Sequence, residues 1–160
     1  MMATHIFKVD VSYSQIAVFC SSTNQPFNDW TQKHVDQGFA WRKCSVSFRT
    51  LVEFGMHSVE VVILDYLPEV SSNVLRAIDV PFDIEKDSDI SIASIADSAL
   101  FGLLHGSYAL RCEFLGLDCD GFQKVRLLFA RHDIPHFSIA KGDKDVSESV
   151  ELIKFANAAL

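Results

Sequence analysis

His132, Asp133 and His136 are the residues whose types and spacing come nearest to reaction chemistry. Two imidazoles four positions apart are how a helix presents a pair of metal ligands. Pro135 lies between them and discourages that helix, so the segment reads as a polar turn and no metal site is expected. His105-Gly106-Ser107 sets an imidazole beside a hydroxyl. The strand, sharp turn and helix that expose a G-x-S-x-G nucleophile are missing around it, and it reads as a hairpin turn before a strand at Tyr108. Neither G-x-x-x-x-G-K-[ST] nor G-x-G-x-x-G occurs, so no phosphate-cradling loop is expected. Cysteine catalysis needs an exposed thiol beside a base. Cys112 shares a strand face with Leu110 and Phe114, and Cys119 sits between Asp118 and Asp120, whose charges disfavour a thiolate. With Cys20 and Cys44 these cysteines show no C-x-x-C spacing, and all read as reduced, small hydrophobes. Catalytic residues, cofactors and metal are therefore all expected to be absent; the enzymatic alternative is a hydrolase whose histidines and carboxylates converge only in three dimensions.

The carboxylates suggest binding chemistry instead. Asp79, Asp83 and Glu85 alternate onto one strand face, Asp87 and Asp89 follow in a turn, and Lys86 alone offsets them. One reading makes this strip a contact for a basic protein cleft, where complementary charge speeds encounter. The other makes it a solvated sheet face whose charges guard an edge against aggregation. Trp41 is a further candidate contact, because tryptophan is enriched in binding hot spots, and its neighbours Arg42 and Lys43 suggest a partly wet position; core packing remains open for it. Trp30 reads as a packing residue. The chain carries 21 acidic and 14 basic side chains, a formal net charge of −7. That balance argues against direct nucleic-acid binding, which needs a basic patch.

The elements that must position these residues are mostly strands. Alternation with period two runs through Phe7 to Tyr13, Val46 to Phe54, Ile78 to Glu85, Tyr108 to Phe114 and Val125 to Phe129. Val59 to Leu64 is apolar on both faces, as in a covered central strand. Some eight strands predict an all-β chain with minor α, an antiparallel β-sandwich. A short helix is inserted near residues 29–37, with Asp29 as N-cap, Gln32 completing a capping box and Gly38 as the stop. A second helix is expected at the C-terminus, where Asp145 and Glu148 have capping-box spacing and Val150, Leu152, Ile153, Phe155 and Ala156 form an apolar stripe. The domain reading is a single β-sandwich over 1–160 with 143–160 as a helical extension; docking in cis and mediating a homodimer are both open for that helix. With 49% hydrophobic residues and 13 Phe, a domain of this size builds its core without disulfides or metal. No signal peptide or apolar run of membrane-spanning length is read, which gives a cytoplasmic protein with no membrane partner.

Three stretches carry a family resemblance: Asn28 to Phe48, with its capped helix and Ser45-Val46-Ser47-Phe48; Val80-Pro81-Phe82 running into Ile90 to Ile95; and Gly106 to Cys112 as a later strand. In that order the chain resembles the competence protein J family, whose founding members inhibit a DNA-entry nuclease. The match covers roughly residues 7 to 130. The resemblance implies a non-catalytic inhibitor or immunity protein that masks the active site of a cognate nuclease. It assigns no inhibitory residue. A small-ligand or glycan-binding β-sandwich is the alternative of a different class.

Overall fold

The computed structural model describes residues 3–160 and contains two β-sheets and one short helix. The first sheet places, in order, β1 (Ala3–Val11), β5 (Gly55–Leu64), β10 (Gln123–Ala130), β9 (Gly106–Leu117), β6 (Arg76–Ile84) and β11 (Ser138–Lys141), numbered along the chain. The second orders β3 (Phe39–Arg42), β4 (Ser45–Arg49), β2 (Gln15–Cys20), β7 (Ile90–Ala93) and β8 (Ser98–Phe101). The all-β reading is borne out. An entirely antiparallel arrangement is not, because β5 and β10 pair in parallel, with Val125 opposite Val59 and Leu127 opposite Val61. Parallel neighbours need a long crossover; here β6 to β9 lie between them in sequence.

Alternation decides which side chains meet. Val59, Val61, Ile78, Val80, Leu110 and Phe114 of the first sheet join Ile16, Val18, Val46, Phe48 and Ile92 of the second in one buried apolar cluster. Each such side chain contributes about 1.5–3 kcal/mol on leaving water. Tyr13 and Ser14, both with positive φ, turn the chain from β1 in one sheet to β2 in the other.

The inserted helix, α1, spans Gln32–Gln37. Its N-cap is Thr31, not Asp29. The Thr31 hydroxyl accepts from the His34 backbone N–H, and the His34 ring, not the side chain of Gln32, completes the capping box by accepting from the Thr31 N–H. Gly38 ends the helix as expected, at φ +84; a Cβ there would lie 2.9 Å from Ile78 Cδ1 and 3.0 Å from Val146 Cγ2.

No helix forms over 143–160, which corrects the expected C-terminal helix. The Asp143 carboxylate accepts from the backbone N–H groups of Asp145 and Val146, a local turn that competes with helix initiation. Beyond it the chain runs as a strap along α1. The Gln37 side chain donates to the Ile153 carbonyl at 2.9 Å and accepts from the Ile153 N–H at 2.7 Å, as a neighbouring strand's backbone would. His34 Nε2 meets the Phe155 carbonyl at 2.9 Å, and Asn28 forms an isolated bridge with Ala158.

Candidate partner-binding surface

β6 carries Asp79 and Asp83 on the outer face of the first sheet, but the two residues have different surroundings. Asp79 is 2% exposed. Its carboxylate accepts from Arg111 Nε at 2.7 Å and Arg111 Nη2 at 3.0 Å, and lies 3.1 Å from His136 Nε2. Arg111 also donates to the Pro68 carbonyl, and Asp133 accepts from the Leu67 N–H. The loops from β5 to β6 and from β10 to β11 thus close over this end of β6. Asp79 is therefore removed from the candidate contact surface, since strand alternation reports the face a residue occupies but not what later folds over it.

Asp83 is half-buried and accepts from the Ser107 hydroxyl at 2.8 Å. Glu85, Asp87 and Asp89 are exposed. They sit in the turn that leads from β6 in the first sheet to β7 in the second. The turn is pinned from below: Glu85 accepts from the Cys44 thiol at 3.0 Å, the Asp89 carbonyl from the Ser21 N–H at 2.8 Å, and Ser88 meets the Ser22 hydroxyl at 3.2 Å. Asp87, at φ 63, makes the bend. The geometry brings four of the five acidic candidates together as one strand end and turn.

Trp41 is half-buried. Its indole N–H donates to the Pro81 carbonyl at 2.7 Å, and its ring stands edge-on to Phe137 at 5.1 Å. It therefore fastens β3 of one sheet to β6 of the other, and what it offers outward is part of a ring. Trp30 donates to Gln15 at 3.1 Å.

The histidines diverge. His136 serves Asp79, while His132 lies 3.6 Å from Asp65 and stacks obliquely on Tyr66. Among the described residues no three His, Cys, Asp or Glu side chains gather as metal ligands. Next to the Asp79–Arg111 pair, Glu60, Arg126 and Glu113 stand opposite one another on β5, β10 and β9. Arg126 donates to Glu60 at 2.9 Å and to Glu113 at 3.2 Å. Burial pushes the Glu113 carboxyl above its ordinary range, with Arg126 and Arg111 pulling the other way.

The sequence reading missed one concave feature. Tyr13, Ser14, Gln15, Trp30, Val35 and Arg49 line a cleft of about 390 Å³. Tyr13 is 70% exposed at its rim. The available signal was the break in alternation at Tyr13-Ser14-Gln15, where an aromatic residue opens a turn.

Two sheets around one core, one short helix and an acidic turn that joins the sheets define a small two-sheet β protein. The chain belongs to the competence protein J family, whose model matches residues 8–130. It is 28% identical over 112 residues to the DNA-entry nuclease inhibitor of Bacillus subtilis (strain 168), an alignment covering 66% of this chain and 77% of that protein. The crystal structure of ComJ, inhibitor of the DNA degrading activity of NucA, from Bacillus subtilis, superposes with a TM-score of 0.71 at 21% identity, covering 82% of this chain and 98% of that one. The family match ends at Ala130, the last residue of β10, so β11 and the strap lie beyond it.

Proposed function

We propose that this chain is a non-catalytic nuclease inhibitor, acting as an immunity protein that masks the active site of a cognate nuclease. Family membership over residues 8–130 carries the reading, together with a relative described as a DNA-entry nuclease inhibitor. In this proposal one β-sandwich domain over 1–160 works in the bacterial cytoplasm, and Asp83, Glu85, Asp87 and Asp89 face a basic surface on the nuclease. Nuclease clefts that bind DNA present positive charge to phosphate, and an acidic turn fits such a surface without itself binding nucleic acid. Purified chain mixed with the nuclease encoded beside it is expected to suppress DNA cleavage at near-stoichiometric amounts. Undiminished cleavage with no detectable complex would overturn the proposal.

One observation favours a second reading, a small-ligand or glycan-binding module: the Tyr13–Trp30 cleft offers aromatic surface beside Arg49. Calorimetric titration with oligosaccharides at high salt separates the two, because stacking on aromatic rings persists where long-range charge attraction is screened.

A further inference from the structure

We propose that Cys20 and Cys44 are a modification site: a cross-strand thiol pair that closes to a disulfide when the protein meets a peroxide. The pairing of β2 with β4 runs Gln15 to Arg49, Ile16 to Phe48 and on to Phe19 with Ser45, and the next opposed positions are Cys20 and Cys44. The Cys20 N–H donates to the Cys44 carbonyl at 3.0 Å, so the ladder continues to this pair. Cys44 stands in the Lys43–Cys44 turn that joins β3 to β4, and this backbone hydrogen bond holds it against Cys20 at the end of β2, where a disulfide needs Cα atoms about 4.4–6.8 Å apart. Both side chains are buried in the same apolar cluster and interact with each other. Cys44 holds φ 65 without being glycine, a conformation that costs free energy and persists where surrounding contacts fix it. Cys112, also buried, lies on β9 in the other sheet, and Cys119 is exposed near the end of β9.

The thiol of Cys44 points at Glu85 of the acidic turn, donating to Oε1 at 3.0 Å. Glu85 is exposed and its carboxylate holds the thiol in the protonated form, so the proton leaves to solvent only as pH rises. The Cys44 thiolate attacks one peroxide oxygen, the O–O bond breaks, and hydroxide leaves and is protonated to water. The resulting sulfenic acid condenses with the Cys20 thiol: the S–S bond forms, the S–O bond breaks, and a second water departs with the Cys20 proton. Two thiols and one peroxide thus become one disulfide and two waters. Burial, followed by the hydrogen bond to Glu85, pushes the Cys44 thiol well above its usual range, so reaction is slow at neutral pH and speeds up about tenfold per pH unit into the alkaline range. Closure consumes the thiol hydrogen that Glu85 now accepts, which makes the hold on the acidic turn redox-sensitive.

The test uses the full chain carrying Cys119→Ser, which removes the exposed thiol. Hydrogen peroxide at pH 8 is expected to remove the mass of two hydrogens and to yield a Cys20–Cys44 linked peptide with Cys112 unmodified; dithiothreitol restores the starting mass. Adding Cys44→Ser abolishes the linked species, and Glu85→Gln, which removes the carboxylate that keeps the Cys44 thiol protonated, speeds its formation several-fold. Oxygen addition at Cys44 without linkage, or linkage to Cys112 in comparable yield, would overturn the pair. An unchanged rate in Glu85→Gln would overturn the hold of Glu85 on the thiol.

Discussion

Asp79 and Asp87 belong to one acidic strip in the sequence and to opposite environments in the structure. Asp79 is buried between Arg111 and His136, while Asp87 stands exposed at the bend. Removing one member of a buried ion pair leaves the other charge uncompensated and costs about 3–5 kcal/mol. Asp79→Ala is therefore expected to lower stability by an amount of that order in urea unfolding. Asp87→Asn, which tolerates the positive φ, and Asp89→Lys, in contrast, are expected to leave stability within about 0.5 kcal/mol while slowing association with the proposed nuclease partner and flattening its salt dependence. Stopped-flow association at two salt concentrations checks the second expectation, and unchanged kinetics would return the turn to a solubility role. His57 sets a pH dependence of its own. It is fully buried, its Nε2 has no partner among the described residues, and burial lowers its pKa against the opposing influence of the Gly55 carbonyl and Asp10. Between its lowered value and the ordinary imidazole range, the unfolded chain binds the proton that the folded chain refuses, so stability falls as pH drops through that window, by at most about 1.4 kcal/mol per unit. His57→Leu is expected to flatten this part of a stability-versus-pH curve measured by chemical denaturation; a curve as steep as wild type would assign the slope elsewhere.

At the scale of elements, the strands were legible because alternation is a local pattern with a direct physical cause: one face meets the core and the other does not. Val59 to Leu64, apolar but for Glu60, is indeed interior to its sheet, between β1 and β10. The C-terminal segment misled for an equally physical reason. Val150 and Leu152 straddle exposed Glu151, which satisfies an extended repeat as well as a helical stripe, and the deciding contacts come from more than a hundred residues away. Gln37 and His34 supply side-chain hydrogen bonds to Ile153 and Phe155, and no window of sequence around the tail contains them. Gln37→Ala is expected to cost about 1–3 kcal/mol, the penalty for leaving the Ile153 amide and carbonyl without partners. It should also accelerate hydrogen exchange at the Ile153 amide relative to amides of β9. Equal protection in the variant would mean that the strap is held by its apolar contacts through Val146, Val150 and Leu152.

On the scale of the whole molecule, the family's two-sheet plan was readable in outline, and the burial of its charges was not. Pattern placed Asp79 and Asp83 on an outer face, yet only folding brings the Pro68 carbonyl and His136 to Arg111 and Asp79. The proposed inhibition at near-stoichiometric amounts implies tight binding, and a partner that binds only the folded chain stabilises it by about 2.7 kcal/mol at a hundredfold excess over Kd. A saturating nuclease is therefore expected to raise the thermal midpoint of the inhibitor, and an unshifted midpoint in a confirmed complex would show that the nuclease also holds partly unfolded chain. The acidic turn gives this expectation a mechanical sense. Because it carries the chain from β6 in one sheet to β7 in the other, a partner seated on it grips both layers at one hinge point. In the proposed complex, docking there acts as a clasp across the layers, and the same grip resists the first parting of the two sheets.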